Sequence, residues 1–264
     1  MSNSDDDPNH AHNSIKATFA AFQDHSNGLL NYTGRLSYLE KNRLTKVSKM
    51  LLLKLLHHPD FHANNPFLPA TSTSDLPPIL PQALTVLGLS RKDLSVEPSP
   101  DESVLLLQSV VDHYNGLPTS PRPLSDASAS VLLRAYNTCL STLSSSAPPS
   151  SSAASSLFAT FPFNLISPDT VTWNTLSQIH SNAGDHVEAS RMFQNLSEFD
   201  TFSYVTGAKI ARGLKDAEAA RALVDGFERD YEGHPAYWLV TALAIDTVKE
   251  AYEGGGKEEV RERE

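Results

Sequence analysis

The run LLHHPDFH places His57, His58, Asp60 and His62 together, four side chains of the types that bind metal ions. Structural zinc sites take their ligands in closely spaced pairs, and no second pair accompanies this one. Histidines where a helix ends beside a proline cap carbonyls or stay in water, and that is the expectation here. Cys139, the single cysteine, becomes a nucleophile only beside a group that favours its thiolate. It shares an apolar helical face with Leu132 and Leu140, so a small core residue is expected. Arg35, Lys41, Arg43, Lys46, Lys49 and Lys54 against Glu40 make one N-terminal stretch basic. Such a stretch is a solvated face or a surface for RNA, an acidic partner or a membrane. No glycine-rich phosphate loop, paired His-Glu helix or nucleophile elbow occurs. The reading is therefore of a chain that is not an enzyme, with no cofactor, metal or small-molecule substrate.

These groups sit in a chain of 264 residues carrying a formal charge of -10, which argues against a surface designed as a whole to follow a phosphate backbone. One cysteine cannot form an intrachain disulfide, which fits a reducing compartment. No apolar run approaches the roughly 20 residues that span a bilayer. The start, MSNSDDDPNH, is acidic where a secretory signal or mitochondrial presequence is basic, so an intracellular protein, cytoplasmic or nuclear, is expected.

No strand-like alternation is sustained, and the fold class read from periodicity is all-α. Residues 1–12 are expected to be disordered and 13–62 to form an N-terminal helical segment. Within it Leu44, Val47, Leu51 and Leu55 mark a buried face. Residues 63–80 read as a Pro-rich linker, 81–116 as a helical pair and 117–123 as a second linker. A helical-repeat region of about three units follows over 124–252, with a Ser/Pro insertion at 144–152. The final stretch, 253–264, reads as a charged flexible tail.

The repeat emerges when the chain is slid along itself by 31 residues. Asp169 then falls on Asp200, Val171 on Phe202, Trp173 on Tyr204, Ile179 on Ile210 and Asp185 on Asp216. Ala189 falls on Ala220, Met192 on Leu223, Phe193 on Val224 and Leu196 on Phe227, without a gap. Upstream, Ala154, Leu157 and Phe158 repeat the spacing of Ala189, Met192 and Phe193. Each such unit is a helix, a turn and a second helix that lacks a complete core until its neighbour covers it. Trp173, Leu176, Ile179, Ala189, Met192 and Phe193 are the expected core.

The stretch carrying Val171, Trp173, Asn174, Leu176, Gly184-Asp185, Glu188-Ala189 and Phe193 resembles the pentatricopeptide repeat family. Trp173, Gly184, Ala189 and Phe193 resemble the tetratricopeptide family equally well. Both resemblances imply a right-handed α-α superhelix of antiparallel helix pairs, here a short array behind an N-terminal helical region. The tetratricopeptide-like resemblance implies a non-enzymatic scaffold or adaptor that holds a protein partner on its repeat surface. The pentatricopeptide resemblance implies single-stranded RNA binding in RNA processing or translation, with Asn174 and Asp200 contacting a base. Two features set against that reading are that Asp200 also suits an N-cap and that its next unit offers Val205, which cannot read a base edge. The scaffold is the preferred expectation, with RNA binding the alternative.

Overall fold

In a computed structural model of the chain, described over residues 8–30, 38–61, 63–68, 76–88, 100–116, 124–145, 150–163 and 166–261, the described residues form helices and no strand. They are α1 (Pro8–Leu30), α2 (Tyr38–Leu56), α3 (Ile79–Gly88), α4 (Pro100–Gly116), α5 (Asp126–Ser145) and α6 (Ser151–Ala159). There follow α7 (Thr170–Asn182), α8 (His186–Phe193), α9 (Thr201–Leu214), α10 (Ala217–Asp230) and α11 (Tyr237–Arg261). Helix α1 begins inside the stretch expected to be disordered. Pro8 explains the start, because its missing N–H falls where a helix leaves donors unpaired anyway. Helix α11 runs on through Gly254–Gly256, where the sequence predicts a break. No helix among the described residues is long and apolar enough to cross a membrane.

The chain divides into two units, one of residues 1–146 and 160–167, the other of residues 147–159 and 168–264. In the first, α3 buries Ile79, Leu80, Pro81, Ala83, Leu84, Val86 and Leu87. A helix apolar on every side must be surrounded, and α1, α2, α4 and α5 all pack against it. Phe19, Phe22 and Phe67 form a ring cluster beside them, Phe19 and Phe67 meeting edge to face at 5.2 Å. Helix α5 contributes Leu132, Ala135, Tyr136, Cys139, Leu140 and Leu143, all buried. The Tyr136 hydroxyl donates to the Thr160 carbonyl at 2.9 Å, and its ring meets Phe161 at 4.9 Å. Residues 124–252, grouped as one array by the repeat reading, thus fall in both units, with α5 in the first and α6 in the second.

In the second unit the 31-residue step reappears as backbone geometry. It separates the first residues of α7 and α9, Thr170 and Thr201, and those of α8 and α10, His186 and Ala217. Asp169 caps α7 and Asp200 caps α9, each accepting from the third residue on, Thr172 or Ser203, whose hydroxyl accepts the cap's own N–H in return. Asp185 and Asp216 cap α8 and α10 the same way without the return bond. Both inner turns close alike. Gly184 N–H donates to the Ser181 carbonyl and Asp185 N–H to His180; Lys215 N–H donates to Arg212 and Asp216 N–H to Ala211. These bonds are those of a Schellman ending, which needs one left-handed residue. Gly184 supplies it at φ 84°, and Lys215 takes φ 57° in its place.

A side chain in the left-handed region costs about 1–2 kcal/mol, against the roughly 0.5–1 kcal/mol of chain entropy that glycine loses on ordering. Lys215→Gly is therefore expected to stabilise the second unit by about 0.5–1 kcal/mol, read as a higher urea midpoint in tryptophan fluorescence. An unchanged or lower midpoint would count against the shared turn.

The core of the second unit follows the same step. Ile179 and Ile210, Ala189 and Ala220, and Thr172 and Ser203 are all buried. Leu176 and Met192 are buried as expected, while Trp173 and Phe193 are half-buried. Trp173 lies edge to face with Phe158 at 5.1 Å, joining α6 to α7. Gly207 stands where the preceding unit has Leu176. A Cβ there would lie 2.7 Å from Phe193 Cζ and 3.0 Å from Leu223, so the missing side chain lets α8 and α10 close on α9.

Candidate functional site

Each of α7, α9 and α11 carries a large apolar side chain at its second residue, and each is left in water. Val171 is 52% exposed, Phe202 43% and Trp238 68%. The caps explain the placement in α7 and α9. Once Asp169 and Asp200 bond to the third residues on, Thr172 and Ser203 are turned inward and Val171 and Phe202 outward. Helix α9 packs on both α7 and α11, so the three positions form a row across neighbouring first helices. Farther along this surface come Gln178 and Lys209, both half-buried, and Ile245, 49% exposed. Arg212 lies exposed near the end of α9 and Lys249 midway along α11, Arg212 paired with Asp246 at 3.7 Å. The surface is apolar at one end and beyond it carries charges of both signs, Lys209, Arg212 and Lys249 with the exposed Asp246. Its row was half legible, since the 31-residue shift aligns Val171 with Phe202. Trp238 lies outside that shift because α10 has 14 residues where α8 has 8.

Asn174 and Asp200, the pair that the pentatricopeptide resemblance assigns to a base, bond to each other, Asn174 buried and Asp200 exposed at the start of α9. Asn174 is only 1% exposed and donates its side-chain N–H to Ser203 Oγ at 2.7 Å and to Asp200 Oδ1 at 3.3 Å. Ser203 Oγ in turn donates to Asp200 Oδ1 at 2.7 Å. Rotating the amide would turn its oxygen toward the carboxylate, so charge sets the orientation. Asn174 Oδ1 is left buried with no hydrogen-bond partner in the protein. Val205 is half-buried on α9.

The basic stretch splits. Arg43, Lys46 and Lys54 lie on the exposed side of α2, whereas Lys49 is 7% exposed and donates to the Leu87 carbonyl at 3.3 Å. That carbonyl is at the end of α3, where an orphan acceptor and the helix dipole favour a cation. Arg35 lies outside the described residues, as does the side chain of Lys41. The buried face of α2 is Thr45, Ser48, Lys49, Leu52, Leu55 and Leu56, rotated by one residue from the expected stripe, of which Leu44, Val47 and Leu51 are half-buried. The apolar run Met50–Leu53 followed by Leu55 and Leu56 leaves that rotation open in the sequence, and packing against α1 and α3 decides it.

His57 Nδ1 lies 2.9 Å from the Leu53 carbonyl oxygen, and His58 Nδ1 accepts the Asp60 N–H at 3.2 Å. Both serve the helix end. His62 lies outside the described residues, among which no group of three His, Cys, Asp or Glu side chains is placed to hold a metal ion.

Cys139 is fully buried, and burial pushes its thiol up to about 12. Burial likewise pushes the Tyr136 hydroxyl up to about 12, although its bond to Thr160 acts the other way. Unfolded, these groups ionise near 9.0 and 10.0. The unfolded chain therefore sheds protons first as pH rises, so the stability is full below about pH 9 and is lost progressively toward pH 12. Cys139 is expected to resist a thiol reagent at pH 8 until the first unit opens, and the urea midpoint of that reaction should fall steeply above pH 9. Prompt reaction of the native chain would show the thiol to be accessible.

The chain matches no protein-family model, no curated protein and no solved structure.

Proposed function

We propose that the chain is a non-enzymatic scaffold or adaptor whose second unit is a short array of antiparallel helix pairs, wound as an α-α superhelix, holding a protein partner on the face of α7, α9 and α11. The observation that carries this reading is the row of Val171, Phe202 and Trp238, left exposed on three successive first helices. Single exposed apolar residues are ordinary, but a row aligned across packed helices makes a continuous surface of the kind partners cover. The repeated caps and turns support the array, because they recur at one spacing in both pairs. The internal bonds of Asn174 and Asp200 favour a protein partner over RNA, since reading a base would require breaking them.

Affinity purification of the tagged full chain, with and without nuclease, tests the reading by mass spectrometry and RNA sequencing. The expected result is a stoichiometric protein partner that survives nuclease and is lost from Phe202→Asp/Trp238→Asp, both substitutions being at exposed positions. A defined RNA bound by the purified chain, with a preference changed by Asn174→Thr or Asp200→Asn, would establish the pentatricopeptide-type alternative instead.

A further inference from the structure

Helix α2 turns a continuous cationic stripe to solvent. Arg43, Lys46, Met50, Lys54 and His57 are all exposed, Met50 by 60%. At ~100° per residue these five fall within roughly 80° of arc, opposite the buried face, along about 21 Å of helix at 1.5 Å per residue. Half-buried Val47 and Leu53 border Met50. The stripe contains no acid, and Arg43, Lys46 and Lys54 make no ion pair among the described residues. In a chain of net charge -10, a run of cations with one acid beside it, Glu40, a turn before Arg43, calls for a reason.

We propose that this face of α2 docks an acidic amphipathic helix of a partner protein. Arg43, Lys46 and Lys54 recur at helical spacing along the helix around one exposed apolar residue, Met50, so acids at the same spacing on a helix laid lengthwise can meet them. Glutamates or aspartates at helical spacing on the partner meet Arg43, Lys46 and Lys54, and an aliphatic residue between them covers Met50. Methionine suits that role because its unbranched thioether adapts to the side chain it meets. Charge complementarity selects an acidic partner, and the composition of the stripe selects a helix over other anions. A membrane surface is disfavoured because Met50 is the only large apolar side chain exposed among the described residues of the stripe, too little to enter lipid. Single-stranded nucleic acid is disfavoured because the stripe offers no Phe, Tyr or Trp ring on which a base can stack, its one ring being His57, held back on the Leu53 carbonyl. The site lies wholly on the first unit and does not rest on the row of the second.

The test uses the full chain and a short labelled peptide with a leucine seam flanked by glutamates at helical spacing, read by fluorescence anisotropy against a scrambled peptide of equal composition. The helical peptide is expected to bind more tightly than the scrambled one, with affinity falling as salt rises. Lys46→Glu/Lys54→Glu should weaken it by roughly tenfold or more, and Met50→Ala by severalfold. A peptide with lysines in place of the glutamates should bind the doubly substituted chain and not the parent. Phe202→Asp/Trp238→Asp, which tests the second unit, should leave this binding unchanged. All five substitutions are at exposed positions, and an unaltered circular dichroism spectrum confirms that each variant is folded. Equal binding of helical and scrambled peptides, indifference to charge reversal, or binding of phosphatidylserine vesicles or oligouridine in place of the peptide would overturn the proposal.

Discussion

Phe227→Ala is expected to cost the second unit about 3–5 kcal/mol, the usual range for removing a fully buried phenylalanine ring. Phe227 is 0% exposed and lies within 5.3 Å of the Tyr204 ring, 5.4 Å of Tyr231, 6.0 Å of His234 and 6.3 Å of Tyr237, centroid to centroid. These rings come from α9, the turn after α10 and the start of α11. Deleting the central ring thus removes contacts from every element around it and leaves a cavity that its neighbours fill only in part. The Tyr204 hydroxyl is tied to Asp230 and the Tyr231 hydroxyl to the Phe199 carbonyl, which limits how far the rings can collapse. The measurement is favoured by the placement of the two tryptophans, Trp173 and Trp238, both in the second unit. Their fluorescence should show a urea midpoint lowered by about 2 M for a slope near 2 kcal/mol/M. Phe202→Ala, at a 43% exposed position, is expected to shift it little. Equal shifts for Phe202→Ala and Phe227→Ala would contradict the described packing.

Asp200→Ala is expected to cost about 2–4 kcal/mol, more than an N-cap alone. Loss of a capping carboxylate accounts for about 0.5–2 kcal/mol. The remainder comes from Asn174 and Ser203, both buried, which each lose a hydrogen-bond partner when the carboxylate goes. Asp169→Ala removes the equivalent cap of α7, whose carboxylate accepts from the Thr172 N–H and hydroxyl, and is expected to cost about 0.5–2 kcal/mol, the range of an N-cap. Asp200→Asn keeps an acceptor and a good capping residue, so most of the stability should remain. This series separates a structural role from base reading, in which Asp200→Asn would change RNA preference at little cost in stability. If Asp200→Ala and Asp169→Ala prove equally mild, the Asn174 network contributes nothing to the fold.

What could be read from the residues alone was whatever closes over a few positions. The caps at Asp169, Asp185, Asp200 and Asp216 bond to residues three places on, so their spacing appears directly as a 31-residue step. Small Ala189 and Ala220 and the apolar residues after them carry the same signal, because a helix face repeats with a fixed period. The all-α class follows from that period too. Tertiary structure decided whatever depends on a neighbour brought from elsewhere in the chain. Asn174 faces inward because Ser203, 29 residues on, accepts its amide, and Lys49 is buried because α3 ends in a carbonyl 38 residues away. The rotation of α2 was undetermined where apolar residues cover the helix all round. Exposure of Val171, Phe202 and Trp238 was likewise unreadable, since an apolar residue near the start of a helix is core or surface according to which element packs over it, and only the assembled unit leaves that row in water.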